Sequence, residues 1–384
     1  MSGRKLAACC LILAALCGCS ATEGEYYYEA AHVGQNLEAG ESDADVIGSY
    51  YALQTAVRNM IRAGRESDSI RISDYKGDLD EDLKAITQDL TTTYPLGVYA
   101  VSSILFEQTR ILNYQELSVT IQYRRSADEI RSVVEVLDDE DFERRMTEMF
   151  RTFGSQCVFS FSWFDYGEED FMPLLLKCWA AAGEYAVGLK EITYASYPED
   201  AYRRIVEINI SYLEEAEVLE AQAEAVRSAA REIVGTLKGE TEEEKLEAIA
   251  AWLLDNVVID EEATRVVSET GGLQRKSAPY TAYGALVDRE AAQSGLVLAA
   301  EVLGSQMGLD CTVVMGRRGE DVYWWLAVEA PQGWLHLDLL SEEGENQTAE
   351  DGSEAFIPRR VFSDEQARER FSWDENIYHF EKNS

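Results

Sequence analysis

Apolar residues fall on every second position at Val119, Ile121 and Tyr123, with Thr120 and Gln122 between them. That is the period of a strand with one buried face. Leu83, Ile86 and Leu90 follow helical spacing instead and predict a helix with an apolar stripe. The succession then returns. Met60-Ile61-Arg62 reappears as Met149-Phe150-Arg151, Ile70 and Ile72 as Phe159 and Phe161, and the Val119 strand as Ile208, Ile210 and Tyr212, all displaced by 89 residues. Tyr99-Ala100-Val101 matches Tyr185-Ala186-Val187 at a slightly shorter displacement, which puts the gap in a loop. Each copy reads as helix, strand, acidic-loop helix, strand, strand. Two copies are too few for a solenoid, so the pattern predicts a pair of small α+β repeats, at 49–137 and 138–213.

A Glu- and Ala-rich helical stretch follows at about 213–236, with Gly235 and Gly239 near its end, and 214–240 is read as a connecting helix. Thr241-Glu242-Glu243-Glu244 has capping-box form, a hydroxyl for orphan backbone amides and a glutamate reaching back. Leu246, Ile249, Trp252 and Leu253 give the helix it opens a core-facing stripe. Between Thr281 and Ala300 the chain reads as a turn at Tyr283-Gly284-Ala285, a short charged link, and a buried helix opening near Ala291. Residues 342–354 are acidic and read as a loop. The fold class expected is α+β, with 241–384 as the last domain.

Composition adds a leader. Arg4 and Lys5 precede an apolar run, Leu6 to Leu16, too short to span a bilayer. It ends in Leu16-Cys17-Gly18-Cys19, which resembles a bacterial lipobox with Cys19 as the lipidated residue. The resemblance implies a leader at 1–18, export, and a lipid anchor in the cell membrane on its extracellular face; the plainer alternative is a signal peptide that is cut and released. Polar, acidic residues 19–48, including Tyr26-Tyr27-Tyr28, read as a tether. Beyond the leader and Cys19 only Cys157, Cys178 and Cys311 remain, an odd number at spacings that fit neither a disulfide framework nor a metal motif. They read as small buried hydrophobes, and neither metal nor cofactor is expected. Without residues 1–18 the chain holds 32 bases against 71 acids, a field that repels nucleic acid.

The stretch Thr281-Ala282-Tyr283-Gly284-Ala285-Leu286-Val287, with Ala291 and Gly295 beyond it, resembles the transglutaminase-like (papain-type) family. Val257-Val258-Ile259-Asp260 resembles that family's strand entry, and Phe362-Ser363-Asp364-Glu365 with Ser372-Trp373-Asp374 its bacterial members' chain end. The family's nucleophilic cysteine opens the helix; that position here is Gln293. Its histidine lies on a strand read H-A-W-N, which corresponds to Tyr323-Trp324-Trp325-Leu326. Nine residues after Trp325 comes Trp334-Leu335-His336-Leu337-Asp338, which supplies the family's acid as Asp338. The resemblance implies a cysteine-protease-type domain whose triad positions hold Gln293, Tyr323 and Asp338.

Acyl transfer needs a thiolate, an imidazole base and a group that orients it. Gln293 is no nucleophile, and a phenol with an ordinary pKa near ~10 is a poor base at neutral pH. No catalytic residue is therefore expected, and the substitutions point to a cell-surface protein that binds a peptide, protein or cell-wall ligand. Ser294, Trp324 and His336 are candidates to line the old cleft. The alternative is a hydrolase or acyltransferase using Ser294, His336 and Asp338. Against it, one step along a helix turns a side chain by about 100°, and His336 has a structural reading. A third reading is a subunit whose site a partner completes. Trp325 and Trp334 are read as core.

Overall fold

The computed structural model describes residues 46–111, 114–167, 170–270, 278–348 and 354–380. The expected leader, Cys19, His32 and the tether up to residue 45 lie outside the described residues.

The first sheet is built from β1 (Val46–Ile47), α1 (Tyr50–Ala63), β2 (Ser67–Ile72), α2 (Leu79–Thr92), α3 (Pro95–Ala100), β3 (Val101–Ile111) and β4 (Tyr114–Tyr123), in the order β1-β2-β4-β3. Only the β1–β2 pair is parallel. Ser49 caps α1, and Gly64 ends it at a left-handed φ of 63°. Leu117, Val119 and Ile121 of β4 turn inward, while Thr120 and Gln122 are exposed. They pack with Leu53 and Val57 of α1 and with Leu83, Ile86 and Leu90 of α2.

After α4 (Ala127–Arg131) the order repeats. β5 (Val134–Val136), α5 (Asp139–Arg151), β6 (Gln156–Phe161), α6 (Phe171–Ala180), β7 (Leu189–Tyr197) and β8 (Arg204–Tyr212) form a sheet β5-β6-β8-β7, again with a parallel first pair. The displacement of 89 residues carries β2 onto β6. Two short strands differ from the expectation. β1 falls inside the stretch read as tether, and β5 pairs with β6 although the sequence places residues up to 137 in the first copy. Strands of two and three residues show no period.

The copies meet where α3 and α4 of the first pack on the sheet of the second. Tyr99, Ala100 and Ile130 of the first pack on Val158 and Ile205 of the second, so β8 is buried on both faces. Glu207, buried on β8, accepts from Arg125 of the first copy, from Gln156 Nε2 at 2.8 Å and from the Tyr197 hydroxyl at 3.3 Å. Arg125 also lies over the Tyr99 ring at 4.7 Å. A carboxylate held this way tolerates burial only while its charge partner stays.

The connecting helix is α7 (Ala216–Val234), and α8 (Glu242–Asn256) opens with the expected capping box: Glu244 N donates to Thr241 Oγ1 at 3.2 Å, and Thr241 N to Glu244 Oε2 at 3.3 Å. β9 (Val258–Ile259), α9 (Glu261–Thr270), β10 (Glu290–Ala291) and α10 (Gln293–Gln306) follow, with β9 and β10 parallel. Then come β11 (Asp310–Arg318), β12 (Asp321–Glu329), β13 (Leu335–Leu337), β14 (Gly344–Thr348), β15 (Glu354–Pro358), β16 (Val361–Ser363) and α11 (Asp364–Arg368). β11-β12-β13-β16 make an antiparallel sheet. The architecture is mixed α+β, as the sequence predicts. Two readings are corrected. The turn at 283–285 is part of a π-helical turn, Gly284–Asp288, and the stretch read as an acidic loop pairs as the β14–β15 hairpin.

α10 is buried at every position from Gln293 to Gly304, because apart from Gln293, Ser294 and Glu301 its residues are small or apolar on all sides. The chain at 278–281 crosses it so closely that a Cβ on Gly295 would lie 2.3 Å from the Pro279 carbonyl oxygen; on Gly284 it would lie 2.3 Å from that of Ala278. One carboxyl is carried into this interior. Glu301 Oε1 accepts from Ser305 Oγ at 3.0 Å, while Oε2 has no hydrogen-bond partner. Burial pushes the Glu301 pKa up to about 7.

Two outcomes are expected. Arg125→Ala lowers unfolding stability by about 3 kcal/mol, the cost of leaving a buried charge unpaired, and adding Glu207→Gln recovers part of it; urea unfolding of the single and double variants checks this. The folded state also holds the Glu301 proton to higher pH than the unfolded chain, so stability is lost as pH rises from about 4.5 to about 7. Glu301→Gln therefore gains on the native protein across that window, by roughly 3 kcal/mol at its upper end, readable as a pH-dependent difference in denaturation midpoint.

Candidate functional site

Antiparallel register sets Leu326 opposite Leu337 and Ala327 opposite His336. Alternate residues of β12 share a face, so Tyr323 and Trp325 point to the side on which the chain leaves β13 at Asp338. The Tyr323 hydroxyl donates to Asp338 Oδ1 at 2.6 Å, and Leu340 N donates to the same oxygen at 3.1 Å. Oδ2 is buried without a hydrogen-bond partner, with Arg318 Nη1 3.9 Å away. Phe371 stacks on the Tyr323 ring at 5.6 Å, and the Arg318 guanidinium sits over it at 5.4 Å.

The electrostatics follow from this enclosure. Burial raises the Asp338 pKa above the ordinary carboxylate range, against the lowering pull of Tyr323 and Arg318. Burial first, and the adjacent Asp338 second, hold the Tyr323 phenol far above its usual value. Tyr323 thus acts as the donor to Asp338.

Gln293 is the first residue of α10, after Ala292, whose side chain caps nothing. Its backbone amide donates to Thr264 Oγ1 of α9 at 3.1 Å. No hydrogen bond joins its side chain to the Tyr323–Asp338 pair among the described residues. Ser294 is buried with its hydroxyl on the Tyr280 carbonyl at 3.4 Å.

His336 is fully buried and held from both sides. Trp325 Nε1 donates to its Nδ1 at 3.0 Å, which leaves the proton on Nε2, 3.3 Å from Asp364 Oδ1. Burial, partly offset by Asp364, pulls the His336 pKa down to about 4. No hydrogen bond links Ser294, His336 and Asp338 to one another among the described residues, so the displaced site is not brought together.

Trp324 corrects the expected cleft. It faces away from Tyr323 and Trp325, is buried, and lines a separate cavity of about 370 Å³ with Met315 and Tyr378. Trp325 is fully buried, and Trp334 is partly buried against Phe380, with rings 4.7 Å apart. The three described cysteines are free. Burial pushes Cys157 up to about 12 and raises Cys178 and Cys311 as well, so none is a ready thiolate. Among the described residues no cluster of His, Cys, Asp or Glu is arranged to hold a metal ion, and no helix is long and apolar enough to cross a membrane.

Sequence reasoning missed Thr264, Arg318 and Phe371, which reach the site from α9, the end of β11 and the tail; nothing local marks them. Asp364 stood inside the chain-end resemblance but carried no role there.

The buried imidazole carries a pH dependence with a definite sign. His336 must stay neutral when folded and is free to protonate when unfolded, so its contribution is complete above pH ~6.5 and is lost as pH falls toward about 4. The stability difference between the native protein and His336→Gln therefore shrinks by roughly 3 kcal/mol across that window, measured by denaturant unfolding at closely spaced pH values.

No family model matches the chain, and no curated protein does. Among solved structures it is similar to one described as a TGase, at 13% identity and a TM-score of 0.27, over 60% of this chain and 64% of that one. It is also similar to a proposed protease from Parabacteroides distasonis, at 11% identity and a TM-score of 0.22, over 76% of this chain and 44% of that one. The chain thus matches less than two thirds of the length of either structure, and likenesses this distant assign neither a fold family nor an activity.

Proposed function

We propose that this is an exported, lipid-anchored protein of the cell surface whose transglutaminase-like domain has lost catalysis and binds a peptide, protein or cell-wall ligand. One observation carries the reading. At the positions that the sequence resemblance gives to histidine and acid stand Tyr323 and Asp338, joined by a hydrogen bond of 2.6 Å. This geometry keeps the orienting contact of a triad and replaces its base with a fixed phenol donor. At the nucleophile position stands Gln293, which has no ionisable group. Such a site has no atom at the nucleophile position that attacks a ligand.

The test uses the full chain in two assays, incorporation of a labelled amine into a glutamine-containing peptide and hydrolysis of an unstructured protein substrate. Rates equal to the buffer blank are expected, with Gln293→Ala indistinguishable from the native protein. Turnover that disappears in Ser294→Ala would overturn the reading in favour of a displaced active site. Two further outcomes belong to it. Cys19→Ser moves the protein from the membrane fraction to the soluble one. Cosedimentation with purified cell wall, the probe for one ligand class, falls at least about threefold in the Gln293→Ala/Tyr323→Phe double variant, a loss of about 0.7 kcal/mol or more.

A further inference from the structure

A cleft of about 850 Å³ opens where α1 and the α2–α3 turn of the first copy face the end of β6 and the start of β8 in the second. Three arginines line it. Arg58 and Arg62 stand one helical turn apart on α1, and Arg203 reaches in from the approach to β8. Tyr94 fixes the first two: the Arg58 guanidinium lies over its ring at 4.9 Å, and Arg62 Nε donates to its hydroxyl at 3.3 Å. Arg58 pairs with Asp89 at 2.9 Å. Arg62 and Arg203 are exposed, and neither has a carboxylate partner among the described residues. The other acid on the lining, Glu135, is exposed. The cleft therefore holds one positive charge in excess, in a chain of net charge −37. Ser160 and Ser162 add hydroxyls to its wall.

The duplication supplies a control within the chain. Displaced by 89 residues, Arg62 becomes Arg151, whose Nη2 donates to the Ala181 carbonyl beyond α6 at 3.4 Å. Arg58 becomes Thr147, whose hydroxyl donates to the Cys178 carbonyl. At these positions the second copy closes its own helix packing, whereas the first lines an open cleft between the copies.

We propose that this cleft binds a small oxyanion-bearing molecule, phosphorylated or polycarboxylate, held chiefly by Arg62 and Arg203 with Arg58 behind them. Guanidinium forks match the paired oxygens of such groups. A small ligand fits and a long polyanion does not, because the polyanion's remaining charges would lie along a strongly acidic surface. Short contacts decide the outcome, since salt at 0.1 M screens charges beyond about 10 Å. The proposal is independent of the degenerate triad.

The experiment is calorimetric titration of the full chain with tripolyphosphate and, separately, with citrate. Saturable one-to-one binding of at least one is expected, and the tighter of the two names the source of the oxyanion. Arg62→Ala and Arg203→Ala each weaken it by about tenfold or more, while Arg151→Ala leaves it unchanged. Arg203→Lys, which keeps the charge and loses the fork, gives an intermediate loss and guards against a folding defect in the alanine variant. No saturable heat from either anion at millimolar concentration overturns the proposal, as does binding that survives the Arg62→Ala/Arg203→Ala double variant.

Discussion

The burial of α10 constrains the rest of the C-terminal half. A helix buried on every side from Gln293 to Gly304 has to be covered on every side, and it is packed by α7, α8, α9 and the β11–β12 hairpin. The close crossing of residues 278–281 over its first turn leaves no room for a Cβ at Gly295 or Gly284. Those contacts fix where Gln293 begins the helix and where β12 passes it. The positions of the candidate site thus follow from packing, whatever chemistry occupies them.

That packing also decides what surrounds each polar group near the site. Tyr323 is hydrogen-bonded to Asp338, His336 is held between Trp325 and Asp364, and Ser294 donates to a carbonyl. Burial raises the Asp338 pKa and lowers that of His336. The result is a hydrogen-bonded wall in which a buried, neutral His336 sits.

The N-terminal half rests on a different interaction. Two copies of one topology meet through Glu207 and Arg125, a charged pair enclosed by Tyr99, Tyr197 and Gln156. The copies are related in sequence but not in their surroundings, since one packs its α3 and α4 against the outer face of the other's sheet. This asymmetry frees Arg62 to face an open cleft while its counterpart Arg151 binds a carbonyl.

Much of the fold was legible in the chain because it depends on local periodicity. The 119–123 alternation, the Leu83–Leu90 stripe, the 89-residue displacement and the Thr241 capping box each rest on residues a few positions apart, or on a repeat of such a pattern. β1, β5 and the β14–β15 hairpin were not legible, because short strands acquire their identity only from the partner they pair with. In the site, Tyr323 and Asp338 were placed by spacing along two adjacent strands, and their hydrogen bond is a consequence of antiparallel register. The side of the strand on which Trp324 lies, the enclosure of His336 by Trp325 and Asp364, and the approach of Thr264, Arg318 and Phe371 were decided only by tertiary structure. The sequence alone determined which chemical groups stand at each position; burial, and the pKa shifts that follow from it, required the distant segments to fold over them.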